Sequence, residues 1–156
     1  MKNELLGGEI SHNDILFVCF IIEKTARKIK QRNQYVVNAL GTKGLQHELF
    51  VADVRHCENP LQVSSDWITI YGLEKGTFDI LDVDRNLAPN LPSELDMGSV
   101  YARLICAETP KDGDYVETIQ KVYNSPVCQI IDNYESSGFY EPSYVIQRAY
   151  RTGSFN

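Results

Sequence analysis

Several patterns that mark common protein classes are missing from this chain. Its longest apolar run, Ile15 to Ile22, is too short to cross a bilayer, and Met1–Ile10 is polar and glycine-containing, unlike a targeting segment. Cys19, Cys57, Cys106 and Cys128 lie far apart and form no Cys-x-x-Cys pair. Cys19, Cys106 and Cys128, flanked by large apolar residues, read as reduced core thiols, with Cys57 beside His56 the exception, and this cysteine usage places the chain in a reducing, cytoplasmic compartment. Gly7-Gly8 precedes no lysine at phosphate-loop spacing and the other glycines are isolated, so nucleotide-dependent chemistry has no support. No serine sits between glycines as a nucleophile elbow would need, and triad hydrolysis has no basis either. Basic charge is also short: 15 Lys and Arg face 21 Asp and Glu, a net charge of −6 that repels a phosphate backbone.

What is present is ordinary globular composition, 156 residues with 43% hydrophobic and 23% charged side chains. A domain of this length buries roughly two-thirds of its unfolded surface, so a single domain spanning 1–156 needs no disulfide or metal to hold it. The acid is concentrated between residues 59 and 112, where nine Asp and Glu face four Lys and Arg.

Ser11 and Asp14 form a capping-box pattern ahead of Ile15–Ile22, and apolar positions continue through Ala26 and Ile29. The spacing predicts a central helical rod running to about Gln31. Asn33 can cap a short helix to Leu40, with Gly41 at its end. After a turn through Lys43 and Gly44, Leu45, Leu49 and Ala52 recur at helical spacing until Asn59-Pro60 stops them. Pro60 opens a further helix to Tyr71, closed by Gly72, which completes a helical part over 11–72.

Alternation in Thr77–Val83 and the β-rich run Ser99–Ala107 predict two antiparallel strands, in a part spanning 77–107 with a long acidic loop at 84–98. Helical spacing resumes from Asp114, restarts at Pro126 and again at Pro142, giving a C-terminal helical part over 114–151. The expected fold class is therefore α+β, mainly α-helical, with about six helices and a small antiparallel two-stranded β element.

Two groups of residues suggest a site. Asp53, His56 and Cys57 share one helix face at i, i+3 and i+4 and are possible metal ligands; a metal-dependent enzyme around His56 and Cys57 is the third reading of the chain. His47, nine residues from His56, falls on the opposite side. Lys24, Arg27, Lys28 and Arg32 form a basic helix end that could dock an acidic partner, although cations at a helix C-terminus also have a purely structural explanation. The Asn33–Cys57 segment has helix-turn-helix proportions, so a DNA-associated regulator is the alternative, but Gln46 and Arg55 beside Glu48 and Asp53 make a poor reading helix. No residue set points to a catalytic centre, and no cofactor is expected.

The helix Ile15–Lys30, the helix Tyr35–Gly41 and the tail segments Val122–Ser125, Ile131–Ser137 and Glu141–Tyr144 resemble small bacterial proteins. The first block is similar to a domain of unknown function encoded beside ADP-ribosyltransferase-like toxin genes, and the tail to proteins of the same neighbourhoods. The resemblance covers about half the chain, brings no catalytic residues, and departs at the acidic insertion Asp82–Asp96. It implies an antitoxin-like or regulatory role. The chain is thus expected to be a non-enzymatic protein-interaction module, binding another protein or itself, with the acidic loop projecting and both charged surfaces free.

Overall fold

A computed structural model describes residues 2–3 and 8–155. Residues 1, 4–7 and 156 lie outside the description, and with them much of the polar stretch read above as lacking a targeting segment. Among the described residues seven α-helices follow in order: α1 His12–Ile29, α2 Asn33–Arg55, α3 Pro60–Ile70, α4 Glu94–Glu108, α5 Tyr115–Tyr123, α6 Pro126–Ile131 and α7 Ser143–Thr152. Near the N-terminus, Lys2–Asn3 and Gly8–Glu9 make a two-residue antiparallel ladder.

The β element expected at 77–83 and 99–107 is not there, and the α+β assignment is corrected to a helical one. Ser99–Ala107 lies inside α4. That helix starts with a capping box in which Ser93 accepts from the Asp96 amide and the Asp96 carboxylate accepts from the Ser93 amide. Met97, Val100, Tyr101, Leu104 and Ile105 then recur at i, i+3 and i+4 and are all buried, so the β-rich composition yields to a helical burial pattern. Thr77–Val83 has no strand partner; it is irregular chain with a 3-10 turn at Ile80–Asp82, started by Asp79 accepting from the Leu81 amide.

α1 is the rod around which the rest packs, with its most extensive contact against α4. Ser11 and Asp14 close the expected capping box, and Ile15, Val18, Cys19, Ile21, Ile22 and Ala26 are buried. Gly98 allows the close approach: a Cβ there would lie 2.8 Å from the Phe20 nitrogen and 2.9 Å from its Cα. α1 ends two residues earlier than expected because Lys30 is left-handed (φ 58°, ψ 44°), its amide donating back to Ala26 and Arg27.

α2 also differs from expectation. The anticipated turn over Lys43 and Gly44 is absent. Instead the helix breaks at one residue, Gly41 (φ 67°, ψ −173°), a backbone conformation that glycine tolerates, and resumes at once. Gly44 is buried within the second half, under the Tyr71 ring. Farther along, Glu48 is buried, accepting from the Trp67 indole N–H at 2.9 Å and from the Tyr71 hydroxyl, which ties α2 to α3.

Candidate functional site

The acidic segment does not project; it folds back onto the basic end of α1. Lys24 pairs with Glu94 at 3.2 Å, Lys30 with Asp79 at 3.5 Å, and Arg27 donates to the Pro92 carbonyl at 2.8 Å. Lys28 donates to Ser65 at 2.8 Å. Surface charges satisfied by their own chain are poor docking groups, because a partner must first break those contacts. The projecting loop is therefore corrected, and of the expected docking residues Lys24, Arg27 and Lys28 are engaged internally. Arg32 is also held by its own chain, but at the edge of a cavity, and it leads to the site.

Two carboxylates are buried beside it. Glu23 is 1% exposed and Asp132 5% exposed. They come from α1 and the C-terminal end of α6, and the Asn33 side-chain amide bridges them, donating to Glu23 Oε1 at 2.7 Å and to both Asp132 oxygens at 3.2 Å. Glu23 also accepts from Arg27 Nε at 2.8 Å and from the Tyr134 hydroxyl at 2.5 Å. Asp132 accepts from the Tyr101 hydroxyl at 2.6 Å and from the Cys128 thiol at 3.4 Å. Since the Asn33 N–H groups must face the carboxylates, its Oδ1 is left buried without a partner.

Burial and the neighbouring charge of Glu23 push the Asp132 carboxyl up to about 7, against the opposing pull of the Tyr101, Cys128 and Asn33 donors. Burial likewise pushes the Tyr101 and Tyr134 phenols well up, so both remain donors near neutral pH.

Asp132 of this acid pair lines a cavity of about 540 Å³. Asp132, Tyr134, Tyr123, Cys128, Arg32, Phe78 and Val83 line it, and Gln34, Gln129, Asn133 and Glu135 supply the rest of the polar lining. Phe78 reaches this place because the chain after α3 binds the end of α1: the Gly76 amide donates to the Ile29 carbonyl at 2.8 Å and the Phe78 amide to the Lys30 carbonyl at 2.9 Å. Only glycine permits that contact, since a Cβ at Gly76 would come within 2.5 Å of the Lys30 oxygen.

The Arg32 guanidinium lies over the Phe78 ring at 3.5 Å, and Phe78 stacks on Tyr134 with ring centroids 6.2 Å apart. Arg27 lies over the Tyr134 ring at 5.4 Å and pairs with the buried Glu23, so a chain of cation and aromatic contacts links Arg32 to Glu23. Arg32 also donates to the Asp132 carbonyl at 3.1 Å. Stacking and this bond fix its plane while leaving other N–H groups unused.

The suggested metal ligands are not assembled. Asp53, His56 and Cys57 are exposed at and beyond the end of α2. The His56 ring faces the Ala52 carbonyl at 3.3 Å, and the Cys57 sulfur lies 3.5 Å from His56 Nε2. Among the described residues no three His, Cys, Asp or Glu side chains gather as a ligand set. Cys19 and Cys128 are buried as expected of core thiols, and burial pushes the Cys19 thiol up to about 12, despite a hydrogen bond with Tyr123.

Sequence reasoning singled out Arg32 for another role and missed Glu23, Asn33, Asp132 and Phe78 as a group. Two signals were present: Glu23 follows Ile21-Ile22 in a buried run, and Asp132 follows Ile130-Ile131, so each acid interrupts an apolar stretch.

Fold and site together define a helical domain with an open polar cavity set against a buried acid pair. Comparison with family models, curated proteins and solved structures finds no match to the chain. No helix among the described residues is long and apolar enough to cross a membrane.

Proposed function

We propose that this chain is a binding module for a small polar molecule held in the cavity between Arg32, Phe78 and the end of α6. One observation carries the reading: a cavity of ligand size, about 540 Å³, lined by aromatic and amide side chains and by an arginine held in place by stacking. Binding is favoured over catalysis by the state of Asp132. Both its oxygens already accept from Tyr101, Cys128 and Asn33, so the carboxyl with the displaced titration is bound to its own chain. This reading departs from the protein-interaction role expected from the sequence: the occupant proposed is a small molecule in the cavity, because Lys24, Arg27 and Lys28 on the charged surface are engaged by their own chain.

The test is thermal melting of the full chain against a panel of amino acids, nucleosides, sugars and polyamines. A ligand at a hundred times its Kd raises stability by about 2.7 kcal/mol, or about 5 to 10 °C in Tm for a domain of this size. Val83→Phe, which narrows the cavity without changing its charge, should reduce that rise, and Arg32→Ala should do the same by removing the stacked wall. The reading fails when no compound in the panel moves Tm, or when both variants respond as fully as the parent.

A further inference from the structure

Arg32 and Glu135 line the same cavity and carry opposite charges, yet neither forms an ion pair among the described residues. Arg32 uses one N–H on the Asp132 carbonyl. Glu135 uses one oxygen, accepting from the Asp84 amide at 3.2 Å. Elsewhere around the cavity the charges are closed: Glu23 is satisfied by Arg27, Tyr134 and Asn33, and Asp132 by Tyr101, Cys128 and Asn33. The cavity therefore offers one unpaired cation and one unpaired anion on a lining that is otherwise aromatic, amide or already bonded.

Resting on the binding function proposed above, we infer that the ligand is a small zwitterion of the amino-acid class, its carboxylate on the Arg32 guanidinium and its ammonium on the Glu135 carboxylate. A simple anion would leave Glu135 facing it as a like charge, and a simple cation would face Arg32 in the same way. A molecule with both charges meets each group with its complement, and its side chain can lie against Phe78, Tyr123 and Tyr134. The planar guanidinium fork, oriented in advance by the Phe78 ring, suits a carboxylate better than a flexible ammonium would.

Calorimetric titration of the full chain with matched compounds that differ only in their charged groups tests the inference. Phenylalanine, phenethylamine and 3-phenylpropionate form one trio; glutamine, 4-aminobutanamide and 4-carbamoylbutanoate form a second, suited to the amide lining. In at least one trio the amino acid should bind roughly tenfold or more tightly than either truncated relative, the size expected for loss of one charge-assisted contact. Arg32→Gln should remove the advantage of the amino acid over the amine, while amine binding holds or strengthens because a like charge is gone. Glu135→Gln should do the converse for the acid. Both side chains are exposed, so the variants are expected to fold, and a melt of each confirms it.

Equal binding of the acid and the amino acid, with no effect of Glu135→Gln, shows a plain anion site and overturns the inference. Equal binding of the amine, with no effect of Arg32→Gln, shows a cation site and overturns it too. If neither trio binds while nucleosides or sugars from the panel do, the zwitterion is wrong and the binding function stands. If nothing binds, both are wrong.

Discussion

The buried acid pair makes a quantitative prediction about stability and pH. Asp132 carries a carboxyl raised from 3.8 to about 7 by burial and by Glu23. A raised acid holds its proton more tightly in the folded chain than in the unfolded one, so folding takes up a proton between these values and stability falls as pH rises through them. Across the whole interval the loss amounts to about 4 kcal/mol, more than half of it between about pH 5 and pH 8. That is a substantial share of the 5–15 kcal/mol typical of a domain.

The charged and titratable groups acting on or bonded to the Asp132 carboxyl come from several elements: Glu23 from α1, itself paired with Arg27, Asn33 from α2, Tyr101 from α4, Tyr123 from α5, and Cys128 and Tyr134 on either side of it in sequence. The assay is urea unfolding followed by the fluorescence of Trp67, the single tryptophan, which is fully buried and so reports the collapse of the core. Wild-type stability should decline from pH 5 to pH 8. Asp132→Asn, which cannot ionise but keeps an acceptor for the Tyr101 hydroxyl, should lose most of that decline, a difference of roughly 2 to 3 kcal/mol relative to wild type. The difference between the two profiles isolates this carboxyl from every other titrating group. A wild-type profile that is flat or rising over this range, or an Asp132→Asn profile that keeps the full decline, would refute the reasoning.

Three further outcomes follow from the packing. Tyr101→Phe removes a donor that favours ionised Asp132, so the stability decline should extend to higher pH, at a cost of about 1 kcal/mol for the lost hydrogen bond; the same urea series measures both. Glu48→Ala leaves the Trp67 indole N–H and the Tyr71 hydroxyl without their acceptor, and should destabilise by about 3 kcal/mol in denaturant unfolding. Gly98→Ala forces a methyl against the Phe20 backbone where α1 and α4 meet most closely and should lower stability by roughly 2 kcal/mol; unchanged Tm would show that this helix pair is looser than its geometry indicates.

Local chemistry made several elements legible without any structure. The Ser11 and Asp14 box starts α1, Asn59-Pro60 starts α3 with the Asn59 side chain accepting from the Leu61 amide, and Asp114 caps α5 in the same manner. These signals act over two to four residues, so they survive in the one-dimensional string. Where two local signals competed, composition misled. Val100, Tyr101, Ile105 and Cys106 favour a strand, while the Ser93–Asp96 box and the i, i+3, i+4 burial of Met97, Val100 and Tyr101 favour a helix; packing against α1 made the second pattern the stable one.

The candidate site was beyond the reach of local reasoning for a different reason. Its bridging bond joins Asn33 to Asp132 across 99 residues, and whether Lys24 and Arg27 face a partner or their own acidic segment depends on where Pro92 and Glu94 come to lie. A charge run reads the same in either case, because a side chain's ionic state and spacing are properties of the chain, whereas its partner is a property of the packed core. Burial next to Glu23, which only folding brings about, is what turns Asp132 from an ordinary acid following two isoleucines into a carboxyl that titrates near neutrality.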